Sequence, residues 1–101
     1  MVTLNSFQLE IVKYKVITEY ILDKNGQRRG VLLGCRLPSD QYYTFGWSLC
    51  CKKDSFFKNK AIGIAFLRAI NGSTASLPWP VLAKHALFLE RCDRYFKARL
   101  A

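Results

Sequence analysis

The sequence has only one histidine and no pair of cysteines at a metal-binding spacing. Cys50 and Cys51 are adjacent, so in a strand their side chains would point to opposite faces. Zinc sites need four convergent ligands, which short Cys-x-x-Cys spacings usually supply. We therefore expect no metal and no cofactor, and we expect all four cysteines to be reduced thiols that pack as small hydrophobic residues.

The sequence also lacks the patterns that catalysis requires. It contains no glycine-rich phosphate loop, and its histidine, His85, has no serine or cysteine at a telling spacing. The seven acidic residues mostly have basic neighbours at turn or helix spacing, which indicates local pairing and not paired catalytic acids. We therefore predict that the protein is not an enzyme.

Long apolar runs are absent as well. No stretch approaches the length of a membrane span, and Glu10 interrupts the region where a signal peptide would have its apolar core. We expect a cytoplasmic protein without a membrane partner. A chain of 101 residues, 50% of them apolar, is long enough for one domain over residues 1–101 with its own core.

Alternating residue types predict a β-hairpin in the first third of the chain. A strand is predicted from Val12 to Leu22, and Asn25-Gly26 predicts a two-residue type I′ turn because both residues tolerate positive φ. The turn sets the register of the two strands. On the core face it pairs Tyr20 with Val31, Thr18 with Leu33 and Val16 with Cys35, and on the other face Asp23 with Arg28 and Glu19 with Leu32.

A third strand is predicted from Asp40 to Cys51, and with the hairpin it completes a meander. A helix is predicted from about Ser55 to Ile70, and a second helix from Pro80 to about Arg99. The predicted fold class is therefore α+β, a three-stranded antiparallel meander followed by two helices packed on the sheet. In the predicted third strand, the residues on the core face are Tyr43, Phe45, Trp47 and Leu49.

The other face of the meander is rich in glycine, with Gly30 present and Gly34 predicted to pair with Gly46. Such a flat face must be covered. The second helix is the favoured cover, and a homodimer through the glycine-rich face or a bound target is the alternative. The apolar stripe predicted for that helix is Leu82, Ala86, Leu89, Cys92 and Phe96.

The strand-to-helix segment has a distinctive order of small, cationic and aromatic residues. In sequence these are Gly46, Ser48, Cys50, Lys53, Asp54, Phe56-Phe57, Lys58, Gly63, Ala65, Arg68 and Ala69. The order resembles the G-x-S-x-C strand and the K-x-D-x-F helix start of small uncharacterised proteins of tailed bacteriophages. The resemblance implies a phage-encoded protein in a host bacterial cytoplasm, and it implies no particular activity.

Positive charge is the remaining feature, because 16 Lys and Arg against 7 Asp and Glu give a net charge of +9. Such a surface suits nucleic-acid phosphates or an acidic protein. A helix N-terminus at the strand-to-helix junction would add positive partial charge and free amides. The predicted binding residues are Lys13, Lys15, Arg28, Arg29, Arg36, Tyr42, Lys52, Lys53, Lys58 and Lys60.

Two functions are compatible with this charge. The first is binding of DNA or RNA, largely without sequence readout, with Tyr42 as a stacking surface. The second is inhibition of a host or defence protein, in an anti-CRISPR-like or host-takeover role. A solvated basic rim that binds nothing is the alternative to both.

Overall fold

The computed structural model describes residues 2–51, 55–72 and 76–101. Among these residues, four strands form one sheet in chain order, and only the third and fourth strands pair in parallel. The α+β class is confirmed, although the sequence-based prediction omitted a short first helix and the fourth strand. The elements are α1 (Phe7–Ile11), β1 (Lys15–Leu22), β2 (Arg28–Arg36), β3 (Tyr42–Leu49), α2 (Lys58–Asn71), α3 (Trp79–Phe96) and β4 (Arg99–Leu100).

The sheet is buried on both faces, which gives three layers. α2 packs on the face that contains Val31 and Leu33, and its Phe66 is fully buried against them. α3 packs on the opposite face, where Leu32 and Tyr43 are fully buried. β2 is thus the centre of the core, because its alternate residues belong to two different apolar clusters.

The predicted register of the hairpin is confirmed, but the turn differs. The observed pairs include Tyr20–Val31, Thr18–Leu33, Val16–Cys35 and Glu19–Leu32. Gly26 has a φ of 80°, whereas Asn25 does not adopt positive φ. The prediction of a type I′ turn is therefore wrong. The Gly26 amide donates to the Asp23 carbonyl oxygen at 3.0 Å, so a four-residue turn closes the loop and Gly26 alone needs left-handed backbone.

Asp23 organises this turn and does not pair with Arg28 as predicted. The register shifts at the end of β1, so that Leu22 is the residue opposite Arg28. The Asp23 carboxylate accepts hydrogen bonds from the backbone amides of Asn25 (2.8 Å) and Gln27 (2.9 Å). These bonds, the one from Gln27 foremost, hold the pKa of Asp23 below its usual value.

Gly26→Val should lower the free energy of unfolding by about 1 kcal/mol or more, because a β-branched residue is strained at positive φ. Crowding would not contribute, since no atom lies within 4 Å of a Cβ built at Gly26. Urea denaturation measures the change. The exposed neighbour Gln27→Val is the control, and an unchanged midpoint for Gly26→Val would contradict the turn.

β3 presents its large side chains to the opposite face from the one predicted. Gly34 pairs with Phe45, and Gly46 pairs with Leu33, so the predicted Gly34–Gly46 pair is wrong by one residue. Because both faces of the sheet are buried, the alternation of side chains along β3 does not show which of its two sets of residues faces which helix. The side chains that consequently lie on the α3 face are Tyr43, Phe45, Trp47 and Leu49.

Gly46 allows α2 to lie directly on β3. A Cβ at this position would overlap the carbonyl oxygen of Ala65 and would lie 2.7 Å from the amide nitrogen of Ala69. Gly63 has the same role toward α1, because a Cβ there would lie 2.6 Å from the Phe7 ring. α2 is thus held between the sheet and α1 by two close contacts.

Gly34, one of the glycines assigned to a flat sheet face, is covered by α3 of the same chain. A Cβ at Gly34 would lie 2.7 Å from the Cys92 sulfur and 3.1 Å from the Phe96 ring. The expectation that the second helix covers this face is confirmed for Gly34, whereas Gly46 lies on the opposite face beneath α2. The surface that the predicted homodimer would use is therefore interior, and that interface is wrong.

The helix boundaries differ from the predictions at specific residues. α2 begins at Lys58 and not at Ser55, and it ends at Asn71, which is followed by Gly72 with a φ of 69°. Phe56, which precedes the helix, packs edge-on against the Tyr20 ring. α3 ends at Phe96, before the predicted end, and the following residue Lys97 is in left-handed conformation with a φ of 51°.

The predicted stripe of α3 is confirmed at Leu89, Cys92 and Phe96, which pack in the core, and is wrong in the first half of the helix. Leu82 is 53% exposed and Ala86 is exposed, whereas the buried residues of the helix are Val81, Phe88, Cys92 and Phe96. The helix has apolar residues on two sides, and the sequence pattern therefore fits either side. The side that the structure buries contains Phe88, whose side chain is larger than those of Leu82 and Ala86.

Candidate nucleic-acid interface

The two long helices begin at the same end of the sheet, which we call the turn end because it contains the β1–β2 turn. β3 finishes there, since Leu49 pairs with Gly30 near the start of β2. The first turn of α2 lines one cavity with Leu49, and Pro80 at the start of α3 lines another with Leu49. The turn end therefore combines the positive ends of two helix dipoles.

The predicted binding residues divide between the turn end and the opposite end of the sheet. The nine residues of β2 separate the two ends by about 26 Å at a rise of about 3.3 Å per residue. The turn end contains Arg28, Arg29, Lys58 and Lys60, and the opposite end contains Lys13, Lys15, Arg36 and Tyr42. Lys52 and Lys53 lie outside the described residues.

Lys58 and Lys60 occupy the first turn of α2 with exposed side chains. This turn contains no acidic residue, and the N-cap residue Phe57 has no side-chain oxygen that could accept from the free amides. A cation beside the positive end of a helix costs about 0.3–1 kcal/mol. An anion bound at this turn would offset that cost and would accept from the free amides.

Arg28 is held close to the approach to α2 by stacking. Its guanidinium carbon lies 4.1 Å from the centroid of the Tyr20 ring. The Tyr20 ring in turn contacts Phe56 edge-on, with 6.2 Å between the ring centroids. A guanidinium that stacks on a ring keeps its N–H edges available, and those edges match phosphate oxygens.

Arg29 faces the other layer and is partly neutralised. Its Nε donates to the Asp23 carboxylate at 3.2 Å. With Pro80 it lines a mainly apolar cavity of about 470 Å³ between the hairpin and the start of α3. Lys24, which the sequence-based set omitted, is exposed on the turn beside it. Arg28 and Lys24 are therefore better placed than Arg29 to meet a phosphate.

Part of the charge at the opposite end has a structural role. Arg36 donates through Nε to the Asp40 carbonyl oxygen at 2.7 Å and through a terminal nitrogen to the Phe96 carbonyl oxygen at 3.4 Å. Phe96 is the last residue of α3, and a cation stabilises the negative end of a helix dipole. Tyr42 is 54% exposed and pairs with Arg99, a cation that the predicted set also omitted.

Ion pairs neutralise only a small part of the positive charge. Within the described ranges, the ion pairs are Lys13–Glu10, Arg29–Asp23 and Arg91–Glu19. Asp93 instead accepts a hydrogen bond of 2.6 Å from the hydroxyl of the buried Tyr43. Burial and this bond raise the pKa of Tyr43. The excess of cations in the sequence is therefore also an excess on the surface.

The four cysteines differ in environment, and none forms a disulfide. Cys35 and Cys92 are buried, and burial raises the pKa of the Cys92 thiol to about 12. Cys51 is exposed next to the half-buried Cys50. In the part of the chain that the structure describes, no three His, Cys, Asp or Glu side chains are grouped closely enough to hold a metal ion.

Thiol labelling should separate these environments. A disulfide reagent should modify Cys51 first in the native protein and leave Cys35 and Cys92 unmodified, because buried thiols with raised pKa form little thiolate. All four should react in denaturant. Cys51→Ser should remove the fastest phase. Labelling of Cys92 at the rate of Cys51 would contradict the docking of α3.

Elemental analysis tests the metal-free expectation separately. One zinc per chain would contradict it.

Sequence reasoning missed two exposed aromatic side chains at the helix starts. Phe57 is 66% exposed immediately before α2, and Trp79 is 74% exposed at the first position of α3. Their position next to predicted helix starts was the available signal. His85, in contrast, packs edge-on against Phe45 at 4.9 Å between ring centroids, which makes it a packing residue.

Comparison with protein-family models, with curated proteins and with solved structures gave no match to this chain. Among the described residues, no helix has both the length and the apolar character needed to cross a bilayer.

Proposed function

We propose that this protein binds DNA or RNA through its turn end, largely without reading base sequence, as a non-enzymatic accessory protein. The main support is the position of Lys58 and Lys60 at the positive end of α2, in a turn without acidic residues. Folding alone disfavours cations there, whereas bound phosphate groups stabilise them. In keeping with the resemblance to small phage proteins, we propose that it acts in a bacterial host cytoplasm.

Other features of the turn end suit a phosphate backbone. The stacked Arg28 lies near the approach to α2, and the exposed Lys24 lies near the start of α3 at the same end of the sheet. Cations and helix amides bind phosphate oxygens and give little sequence readout. Lys15 and Arg36, about 26 Å away by the strand rise of β2, would contact the far part of a strand several nucleotides long.

A variant with opposite effects on stability and binding tests the proposal. Lys58→Glu combined with Lys60→Glu should weaken binding of a short oligonucleotide tenfold or more, about 1.4 kcal/mol, and should flatten the dependence of affinity on salt. The same change should hold or raise the melting temperature, because carboxylates stabilise a helix N-terminus. Fluorescence anisotropy across a salt series and thermal denaturation measure the two effects.

The control has the same change in net charge on α3. Lys84→Glu combined with Arg94→Glu should weaken binding much less, because neither residue lies at a helix start. An equal loss in both double variants would show that net charge and not the turn end is responsible. A wild-type protein without measurable affinity for DNA or RNA in low salt would refute the proposed function.

A second candidate function is inhibition of a host or defence protein that docks on α3. Trp79, Leu82 and Leu87 are exposed by 74%, 53% and 71%, and with Ala83 and Ala86 they follow the spacing of one helix face. Exposed apolar helix faces of this kind serve as docking surfaces. This observation favours a protein partner independently of the charge.

Capture from a bacterial lysate distinguishes the two functions. The wild-type protein and a Trp79→Ala/Leu87→Ala variant would be used as baits, each with and without nuclease. One protein partner that withstands nuclease and is lost with the variant would support the inhibitor function. Recovery that disappears with nuclease, and that is equal for both baits, would support nucleic-acid binding.

A further inference from the structure

The cavity beside the start of α2 is lined by a buried serine whose hydroxyl group has no partner among the described residues. Ser48 is 4% exposed, and its Oγ has no hydrogen-bond partner among the residues that the structure describes. Ser48 pairs with Val31 on the α2 face of the sheet and lines a cavity of about 550 Å³. A buried hydroxyl without a partner is destabilising, so a ligand oxygen at this position would be stabilised.

The other polar groups of this cavity are also mainly hydrogen-bond donors. Phe57, Lys60 and Ala61 at the start of α2 line it, and among the described residues no side chain caps the free amides before Ala61. Ser55 adds a second hydroxyl at the rim. A hydroxyl, an ammonium group and helix amides that border one cavity form an anion site.

We propose that this cavity binds a phosphate monoester at the end of a nucleic-acid strand. The proposal rests on the proposed function and adds a preference for strand ends. A monoester has a charge of about −1.5 to −2 and three oxygens that accept hydrogen bonds, more than an internal phosphodiester offers. Ser48, Lys60 and the first-turn amides of α2 would donate to these oxygens.

An aromatic ring at the rim suits the nucleotide that bears this phosphate. Phe57 lines the same cavity, and 66% of its surface is exposed. Bases stack on such rings without regard to sequence. Phosphate binding in the cavity and stacking on Phe57 together would select the terminal nucleotide of any strand.

Oligonucleotides that differ only at their ends test the proposal. One single-stranded DNA would be prepared with a 5′-phosphate, with a 3′-phosphate and with hydroxyl groups at both ends. At least one phosphorylated form should bind about tenfold more tightly than the hydroxyl form, the effect of one charge-assisted hydrogen bond. Fluorescence anisotropy at one fixed salt concentration measures this ratio of affinities.

Two variants on the same face of β3 give a matched comparison. Ser48→Ala should reduce the ratio of affinities toward one, and it should not lower the melting temperature, because the hydroxyl has no partner to lose. Thr44→Val removes a hydroxyl that already bonds to the Cys35 sulfur at 3.3 Å, and it should leave the ratio unchanged. A lower melting temperature for Ser48→Ala would show that its hydroxyl serves the fold instead.

The remaining outcomes separate this proposal from the proposed function. Equal affinity for all three oligonucleotides would overturn the end preference and leave the proposed function standing. Absence of binding to every oligonucleotide in low salt would overturn both. Adenosine 5′-monophosphate, compared with adenosine by calorimetry, distinguishes the sources of phosphate. Binding of the monophosphate without binding of any strand would assign the cavity to a free nucleotide and overturn the strand-end proposal.

Discussion

Gly46→Ala should lower the free energy of unfolding by about 3 kcal/mol or more, a large part of the stability of a small domain. The added methyl group would overlap the Ala65 carbonyl oxygen and crowd the Ala69 amide nitrogen at 2.7 Å. Both are backbone atoms, which cannot rotate away as a side chain can. α2 would have to move off the sheet and would lose the burial of Phe66. Urea denaturation measures the loss.

The same substitution at a different glycine provides the control for Gly46→Ala. Gly26→Ala adds the same methyl group where no atom lies within 4 Å, so its cost is limited to the strain of positive φ, about 1 kcal/mol. The difference between the two variants isolates the contact between α2 and β3. Equal denaturation midpoints would mean that α2 does not approach Gly46 as described.

Phe88→Ala should lower the free energy of unfolding by about 3–5 kcal/mol, because it leaves a large cavity in the α3 layer. Phe88 is 1% exposed and its ring packs against Phe45, with 5.9 Å between the centroids. The adjacent Leu87 is 71% exposed, so Leu87→Ala should change stability by less than about 0.5 kcal/mol.

This pair of variants also tests the rotation of α3. A helix turned to bury the predicted stripe of Leu82 and Ala86 would show a smaller loss for Phe88→Ala and a larger loss for Leu82→Ala. Chemical denaturation of the three single variants distinguishes the two orientations. A Leu82→Ala loss equal to that of Phe88→Ala would contradict the side of α3 that the structure buries.

The sequence was informative where one physical constraint dominated. The hairpin register followed from strict alternation around a glycine-containing turn, and it survived although the turn type was wrong. β3 shows the limit of this reasoning. Both of its faces pack against a helix, so the face on which Tyr43 and Gly46 lie depended on the length of the connection after Arg36. That length cannot be converted to a register from residue types.

The short elements could not be predicted for a related reason. α1 has five residues and β4 has two, so neither has enough periodicity to identify it. Both exist because of tertiary contacts: Phe7 packs against Gly63, and Arg99 pairs with Tyr42. Local sequence does not contain such long-range contacts.

For the candidate interface, residue type was predictable and location was not. Lys58 and Lys60 fall at a helix start as expected, although the helix begins later. Arg28 and Arg36 lie at opposite ends of β2, so they cannot belong to one compact site. The sequence alone does not indicate which of the two ends is the binding surface. Ser48 was named for its place in a motif, and only packing shows that its hydroxyl has no partner.

The covering of one sheet face by α3 has a consequence during synthesis. The three antiparallel strands are complete at Leu49, but the helix that covers Leu32 and Tyr43 is not finished until Phe96. At roughly 5–20 residues per second, a ribosome needs roughly 2–9 s to make the intervening chain. Until that interval has passed, the chain does not yet contain the complete helix that buries this face in the finished protein.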